Sequence, residues 1–126
     1  MKKLLPMLLI LSMVACVKQT VNTDMTFYEN FTYDEVWDAS VKAVDDIDFT
    51  IDSIDREIGF IAAERGRHTL QNAPPRLSIM IENMGDRISV RCRILQKEQY
   101  IDIFGFGRKT IKEFMIALNL NLHRSY

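Results

Sequence analysis

Few side chains in this 126-residue sequence have a type and spacing suited to chemistry. His68 and His123 lie far apart and lack the i, i+4 spacing or neighbouring carboxylates of a metal site. The closest carboxylates form two pairs, which we assign to structural roles at the two ends of a predicted helix: Asp34 with Glu35 and Asp45 with Asp46. Neither a G-x-S-x-G motif nor a P-loop is present. We therefore expect a protein that is not an enzyme, with no catalytic residue, no cofactor and no metal site.

Cys16 is the one residue whose surroundings indicate a specific chemistry. Lys2 and Lys3 precede an apolar stretch, residues 4–14, that is too short to span a bilayer and typical of a secretory signal. The sequence MVAC, residues 13–16, resembles the lipobox of bacterial lipoproteins. That resemblance implies that the Cys16 thiol receives a diacylglyceryl group and that Cys16 becomes the first residue of the mature chain. An ordinary signal peptide or a buried N-terminal helix is the alternative.

A lipoprotein precursor divides the sequence into three parts: a signal peptide over residues 1–15, the lipidated cysteine with a short tether over 16–24, and one domain over 25–126. The tether is polar and would reach about 15 Å. The residue after Cys16 is Val17 rather than Asp, which in this family favours the outer membrane. We expect an envelope protein anchored there by its lipid and facing the periplasm. Cys92 then has no partner within the mature chain, and we predict that it is buried rather than bridged to another molecule.

Hydrophobic spacing predicts an α+β domain. Residues 25–31 suit a strand, and the T-x-x-E sequence from Thr32 to Glu35 predicts a capping box that begins a helix. The next elements alternate with period two and form two predicted hairpins, 49–53 with 59–63 and 77–81 with 88–94. A final helical stripe follows at Ile111, Phe114, Met115, Leu118 and Leu122, although residues 118–122 also alternate as an extended segment would.

These elements predict an antiparallel sheet of two hairpins, with four to five strands, covered by an N-terminal and a C-terminal helix. Two segments carry a resemblance to a known family: TYDEVWDA at residues 32–39 and DREIGFIAA at residues 55–63. They resemble the helix-grip domains of small outer-membrane lipoproteins, including the BamC lipoprotein. The resemblance covers about residues 31–64. It implies a helix-grip fold, an envelope location and non-enzymatic binding.

Charge is distributed unevenly along the chain. Residues 17–64 contain 3 basic and 12 acidic residues, whereas residues 65–126 contain 11 basic and 5 acidic residues. Several arginines of the second half would share a strand face or a nearby loop and form a basic surface: Arg65, Arg67, Arg76, Arg87, Arg91 and Arg93. Such a surface would attract anionic lipid headgroups or an acidic envelope protein. The alternative, which we favour, is cross-strand pairing of these arginines with Asp48, Asp52 and Asp55.

A second candidate surface is the segment from Tyr100 to Gly107, which includes Phe104 and Phe106. Its aromatic side chains and glycines suit an apolar contact loop, and they equally suit a buried connection to the last helix. Two functions follow from these patterns. The first is a non-enzymatic, lipid-anchored module that docks on another envelope protein. The alternative is a carrier of a lipid or small apolar ligand held between helix and sheet. A nucleic-acid partner is not expected, because export and the negative net charge both disfavour it.

Overall fold

The computed structural model describes residues 19–65, 75–97 and 106–125, with side chains described for 22–65, 75–95 and 107–124. The elements, in chain order, are β1 (Gln19–Tyr28), α1 (Tyr33–Asp46), β2 (Thr50–Asp55), β3 (Phe60–Glu64), β4 (Arg76–Asn83), β5 (Ile88–Lys97) and α2 (Phe106–Ser125). No helix in these ranges is both long enough and apolar enough to cross a bilayer.

The five strands form one antiparallel sheet in the order β1-β5-β4-β3-β2. The chain therefore passes from one edge of the sheet to the other through α1. Both helices lie on the same face, where α1 contacts β2 and β4, α2 contacts β1 and β5, and the helices contact each other. The predicted fold class, including both hairpins, is confirmed.

Helix α1 begins where its capping box is predicted. The Thr32 hydroxyl accepts the backbone N–H of Glu35, and the Glu35 carboxylate accepts the backbone N–H of Thr32. The predicted apolar stripe is buried through Val36, Trp37, Val44 and Ile47. The predicted structural role of Glu35 is thereby confirmed, and its neighbour Asp34 forms an ion pair of 2.6 Å with Arg56.

Strand β1 differs from its prediction at both ends. It begins at Gln19 and ends at Tyr28, so the prediction of a flexible tether through residue 24 is wrong for residues 19–24. Those six residues pair with residues 92–97 of β5. The backbone ladder satisfies their amide and carbonyl groups, and an edge strand accepts polar side chains because only part of its surface is covered. The sheet consequently starts three residues after Cys16.

Helix α2 continues without interruption to Ser125, so the extended alternative for residues 118–122 is wrong. Its predicted stripe lies against the inner face of the sheet, where Phe114, Leu118 and Leu122 are fully buried. They share one core with residues of the inner face, which we list here: Ile61, Ala63, Leu77, Ile79, Ile81, Ile88, Val90, Cys92 and Ile94. The tyrosine at the end of β1, Tyr28, donates to Asn119 Oδ1 at 2.5 Å and ties that strand to the middle of α2.

The turn between β2 and β3 is held against β4 by Gly59. Its φ of +84° favours glycine, and a Cβ at this position would overlap the carbonyl oxygen of Ile81. The Ile81 amide donates to the Gly59 carbonyl at 2.7 Å. This contact fixes the position of the β2–β3 hairpin against β4, one of the strands that form the surface described next.

Candidate docking surface

The outer face of the sheet, turned away from both helices, carries three large apolar side chains that are partly exposed. Met25 is 38% exposed, Phe27 44% and Met80 40%. The strand register aligns Met25, Arg91 and Met80 across three neighbouring strands, β1, β5 and β4. Two methionines thus flank one arginine in a row on a solvated sheet face.

Arg93 lies two residues further along β5, on the same face and opposite Thr23 and Ser78. Arg91 and Arg93 are both exposed. Within the described residues neither arginine has an ion-pair partner. These two arginines therefore lie among exposed apolar groups without a carboxylate partner in the described part of the chain.

Arg87 completes the surface at the far end of the sheet. Its guanidinium carbon lies 4.4 Å from the centre of the Phe27 ring, which is a cation–π contact. Its Nε is buried, and no described group accepts that hydrogen. The contact with Arg87 fixes the Phe27 ring, which remains half-exposed on this face. We call the six residues together the outer-face patch: Met25, Phe27, Met80, Arg87, Arg91 and Arg93.

The remaining predicted arginines behave differently. Arg76 also lies on the outer face, but it pairs with Asp52 at 3.1 Å and with Glu64 at 3.2 Å. The guanidinium of Arg65 lies 6.0 Å from the centre of the Phe49 ring. The predicted pairing with aspartates is thus confirmed for Arg76 and Asp52. For Asp48 and Asp55 it is wrong in the described part of the chain, where the Asp55 carboxylate accepts backbone N–H groups of the next turn.

Several predicted residues lie outside what the structure describes. Arg67, Tyr100, Phe104 and Cys16 are in that group. Phe106 is the first residue of α2, but its side chain is also outside the description. His68 lies outside as well, whereas His123 makes a local contact of 2.7 Å between Nδ1 and the carbonyl oxygen of Asn119. No group of histidine, cysteine and carboxylate side chains suited to a metal ion occurs in the described ranges.

Cys92 is fully buried on the inner face of the sheet, which confirms the prediction that it is a buried residue. Burial raises the pKa of its thiol from 9.0 to about 12, and the nearby Asp24 carboxylate adds to that rise. A thiol that stays protonated and enclosed is a poor nucleophile. Cys92 is therefore a packing residue.

Sequence reasoning missed the apolar half of the outer-face patch. Strand β1 alternates in composition, but its inward positions are Asn22, Asp24, Thr26 and Tyr28, whereas Met25 and Phe27 point outward. A period-two pattern identifies two faces without saying which one is covered. One feature of the sequence could have indicated the patch. In β1 the apolar residues alternate with polar ones, and the fold places the polar ones on the inner face.

Comparison with known proteins identifies the fold. The structure of Ara h 8.0201 superposes with a TM-score of 0.54 over 83% of this chain and 99% of that one, at 9% identity. Protein TTHA0849 from Thermus thermophilus gives 0.47 at 10% identity, over 84% and 99% of the two chains. A Thalictrum norcoclaurine synthase point mutant gives 0.48 at 10% identity, over 86% and 97%. No family model and no curated protein matches the sequence significantly. The chain has a helix-grip fold.

Proposed function

We propose that this protein is a non-enzymatic binding module of the bacterial cell envelope, anchored to the outer membrane through a lipid on Cys16. We further propose that the outer-face patch docks onto an acidic surface of another envelope protein. The observation that carries the docking proposal is the row of Met25, Arg91 and Met80 on an uncovered sheet face. The lipobox resemblance of residues 13–16 supports the anchor.

The composition of the patch favours a protein partner. Interface centres are enriched in aromatic residues, methionine and arginine, and they are depleted in lysine and acidic residues. The outer-face patch contains one phenylalanine, two methionines and three arginines. Arg91 and Arg93 would pair with carboxylates of the partner, while Met25, Met80 and Phe27 would lose water on contact. An acidic and partly apolar protein surface is complementary to both halves.

A carrier function would need an interior cavity between the helices and the sheet. The described interior is instead occupied by large side chains, with Trp37 at 4% exposure and Phe49 at 3%, beside the fully buried Phe114. These packed side chains favour docking over transport. Native mass spectrometry of the purified protein is expected to show the acylated polypeptide alone. A co-purified apolar ligand would support the carrier function instead.

The docking proposal is tested by placing a photo-crosslinking amino acid at Met80 in intact cells. Leu120, an exposed leucine of α2, is the matched control position, because at 49% it is at least as accessible as Met80. We expect one dominant adduct from position 80 and none from position 120. The crosslinked peptide of the partner should be rich in Asp and Glu. Equal labelling at both positions, or an adduct with a basic peptide, would contradict the proposal.

The anchor is tested separately. The wild-type protein should incorporate labelled palmitate and enter the detergent phase of a phase partition, whereas the Cys16→Ala variant should do neither. Palmitate on the Cys16→Ala variant would refute the assignment of Cys16 as the acylated residue.

A further inference from the structure

The start of α2 brings three exposed basic side chains close to the start of β1. Arg108, Lys109 and Lys112 are all exposed, and we call them the α2 basic cluster. Two of them border an open groove of about 500 Å³ between this end of the helix and the edge strand. The groove is lined by Asn22, Thr23, Asp24, Arg108, Ile111 and Lys112.

The position of this cluster is fixed by close packing between the helix and the strand. A Cβ on Gly107 would overlap the side-chain amide of Asn22, so glycine lets the helix approach the strand without displacing that side chain. The Asn22 Nδ2 atom is itself buried, with no hydrogen-bond acceptor among the described groups. The first turn of α2 therefore stays against residues 22–24 of β1.

The charges at this end of α2 are not compensated within its first turn, and Glu113 is the first acidic residue along the helix. The first turn contains no acidic residue, although a helix N-terminus carries a partial positive charge that favours acids there. Arg108 and Lys109 add positive charge where the dipole already disfavours it. Asp24 is the one carboxylate among the groove-lining residues. The excess positive charge is complementary to an external anion.

The length of chain before β1 indicates which anion is nearby. Gln19 follows Cys16 by three residues, which span at most about 10 Å when fully extended. Asn22 follows Cys16 by six residues and lies within about 20 Å of it along the chain. An acyl group on Cys16 consequently holds the groove and the α2 basic cluster close to the membrane surface.

We propose that the α2 basic cluster binds anionic phospholipid headgroups of the membrane that holds the lipid anchor, an inference that rests on the anchor in the proposed function. The body then stands with the starts of β1 and α2 toward the bilayer. Phe27 is eight residues further along β1 than Gln19, about 27 Å away. The far end of the outer-face patch therefore stays clear of the lipid and open to a protein partner.

The test uses the mature, acylated protein in vesicles of phosphatidylcholine with or without phosphatidylglycerol, both containing a quencher in the headgroup region. A fluorophore is attached to a cysteine introduced at Thr23, which is exposed at the groove, or at Asp86, which is exposed in the turn at the far end of the sheet. Buried Cys92 should not react, so each label reports one position. We expect stronger quenching at position 23 in anionic vesicles, with no change at position 86. About 0.5 M NaCl should abolish the difference.

Two double variants, each of which removes two positive charges, distinguish an effect of the α2 basic cluster from an effect of the net charge of the protein. Each basic residue near an anionic surface contributes roughly a fivefold change in equilibrium. Arg108→Gln with Lys112→Gln should therefore lower the ratio of docked to undocked protein about 25-fold. Lys42→Gln with Arg124→Gln, at positions outside the cluster, should leave that ratio unchanged.

The outcomes distinguish the two proposals. Protein that sediments with both vesicle types but shows equal quenching at position 23 overturns the headgroup inference alone. The headgroup inference also fails if the two double variants behave alike. Protein that sediments with neither vesicle type overturns the lipid anchor and the headgroup inference with it.

Discussion

The two faces of the same five-stranded sheet differ sharply in what covers them. On the inner face, Ile79, Val90 and Ile94 are at most 1% exposed and pack beneath the helices. On the outer face, Met25, Phe27 and Met80 are 38 to 44% exposed. Arg91 lies between the two methionines and Arg93 lies beside that row, and neither has an ion-pair partner in the described part of the chain. The inner face accounts for stability. Large apolar side chains that add little to the core are what a binding surface requires.

The strongest test of this difference is a pair of identical truncations, one in α2 where it packs against the inner face and one on the outer face. Phe114→Ala should lower the free energy of unfolding by about 3 to 5 kcal/mol, because it opens a cavity in a packed core. Phe27→Ala should cost about 1 kcal/mol, since it loses mainly the cation–π contact with Arg87. Chemical denaturation of both variants measures the two values. Equal losses would show that the outer face is as important to folding as the inner one.

A second prediction concerns pH and belongs to the inner face alone. Burial raises the Cys92 pKa from 9.0 to about 12, so the folded protein keeps a proton that the unfolded chain loses above pH 9. The contribution of the protonated Cys92 thiol to the free energy of unfolding is fully present below pH 9. It declines between pH 9 and 12, by at most about 1.4 kcal/mol per pH unit. Burial also raises the Tyr28 pKa from 10.0 to about 12, so the cleanest window is pH 8.5 to 10. In the Cys92→Ala variant, the free energy of unfolding should no longer decline with pH in this window. A decline as steep as in the wild-type protein would show that the Cys92 thiol is not its cause.

The smallest expected effect on folding comes from reversing charge on the outer face. Arg91→Glu with Arg93→Glu should change the free energy of unfolding by no more than about 0.5 kcal/mol, because neither side chain is buried or has an ion-pair partner among the described residues. Thermal denaturation at low and moderate salt measures the change. A loss of several kcal/mol would mean that these arginines hold the sheet together.

The sequence predicted those parts of the fold that local signals determine. Helix α1 begins at its capping box because Thr32 and Glu35 satisfy each other's backbone groups within one turn. The hairpins follow from period-two alternation and short turns. The start of β1 was missed because its polar residues carry no burial pattern, and only pairing with β5 makes them a strand. That pairing joins distant parts of the chain and leaves no local trace.

The candidate site was predicted in part for the same reason. Arg91 and Arg93 could be placed on one strand face from their alternation with Val90 and Cys92. Their neighbours Met25 and Met80 belong to β1 and β4, so the row can be recognised only when the strand order and register are known. Arg76 could not be separated from the other arginines by sequence alone, because its ion pairs with Asp52 and Glu64 depend on the positions of β2 and β3.

The central claim is that the outer face binds an acidic partner through Arg91 and Arg93. Its most direct test is the Met80 crosslink measured in cells that carry Arg91→Glu with Arg93→Glu, at matched protein level and with the fold verified by circular dichroism. We predict that the adduct disappears while the folded protein remains. An adduct of unchanged yield from the folded, charge-reversed protein would contradict the claim.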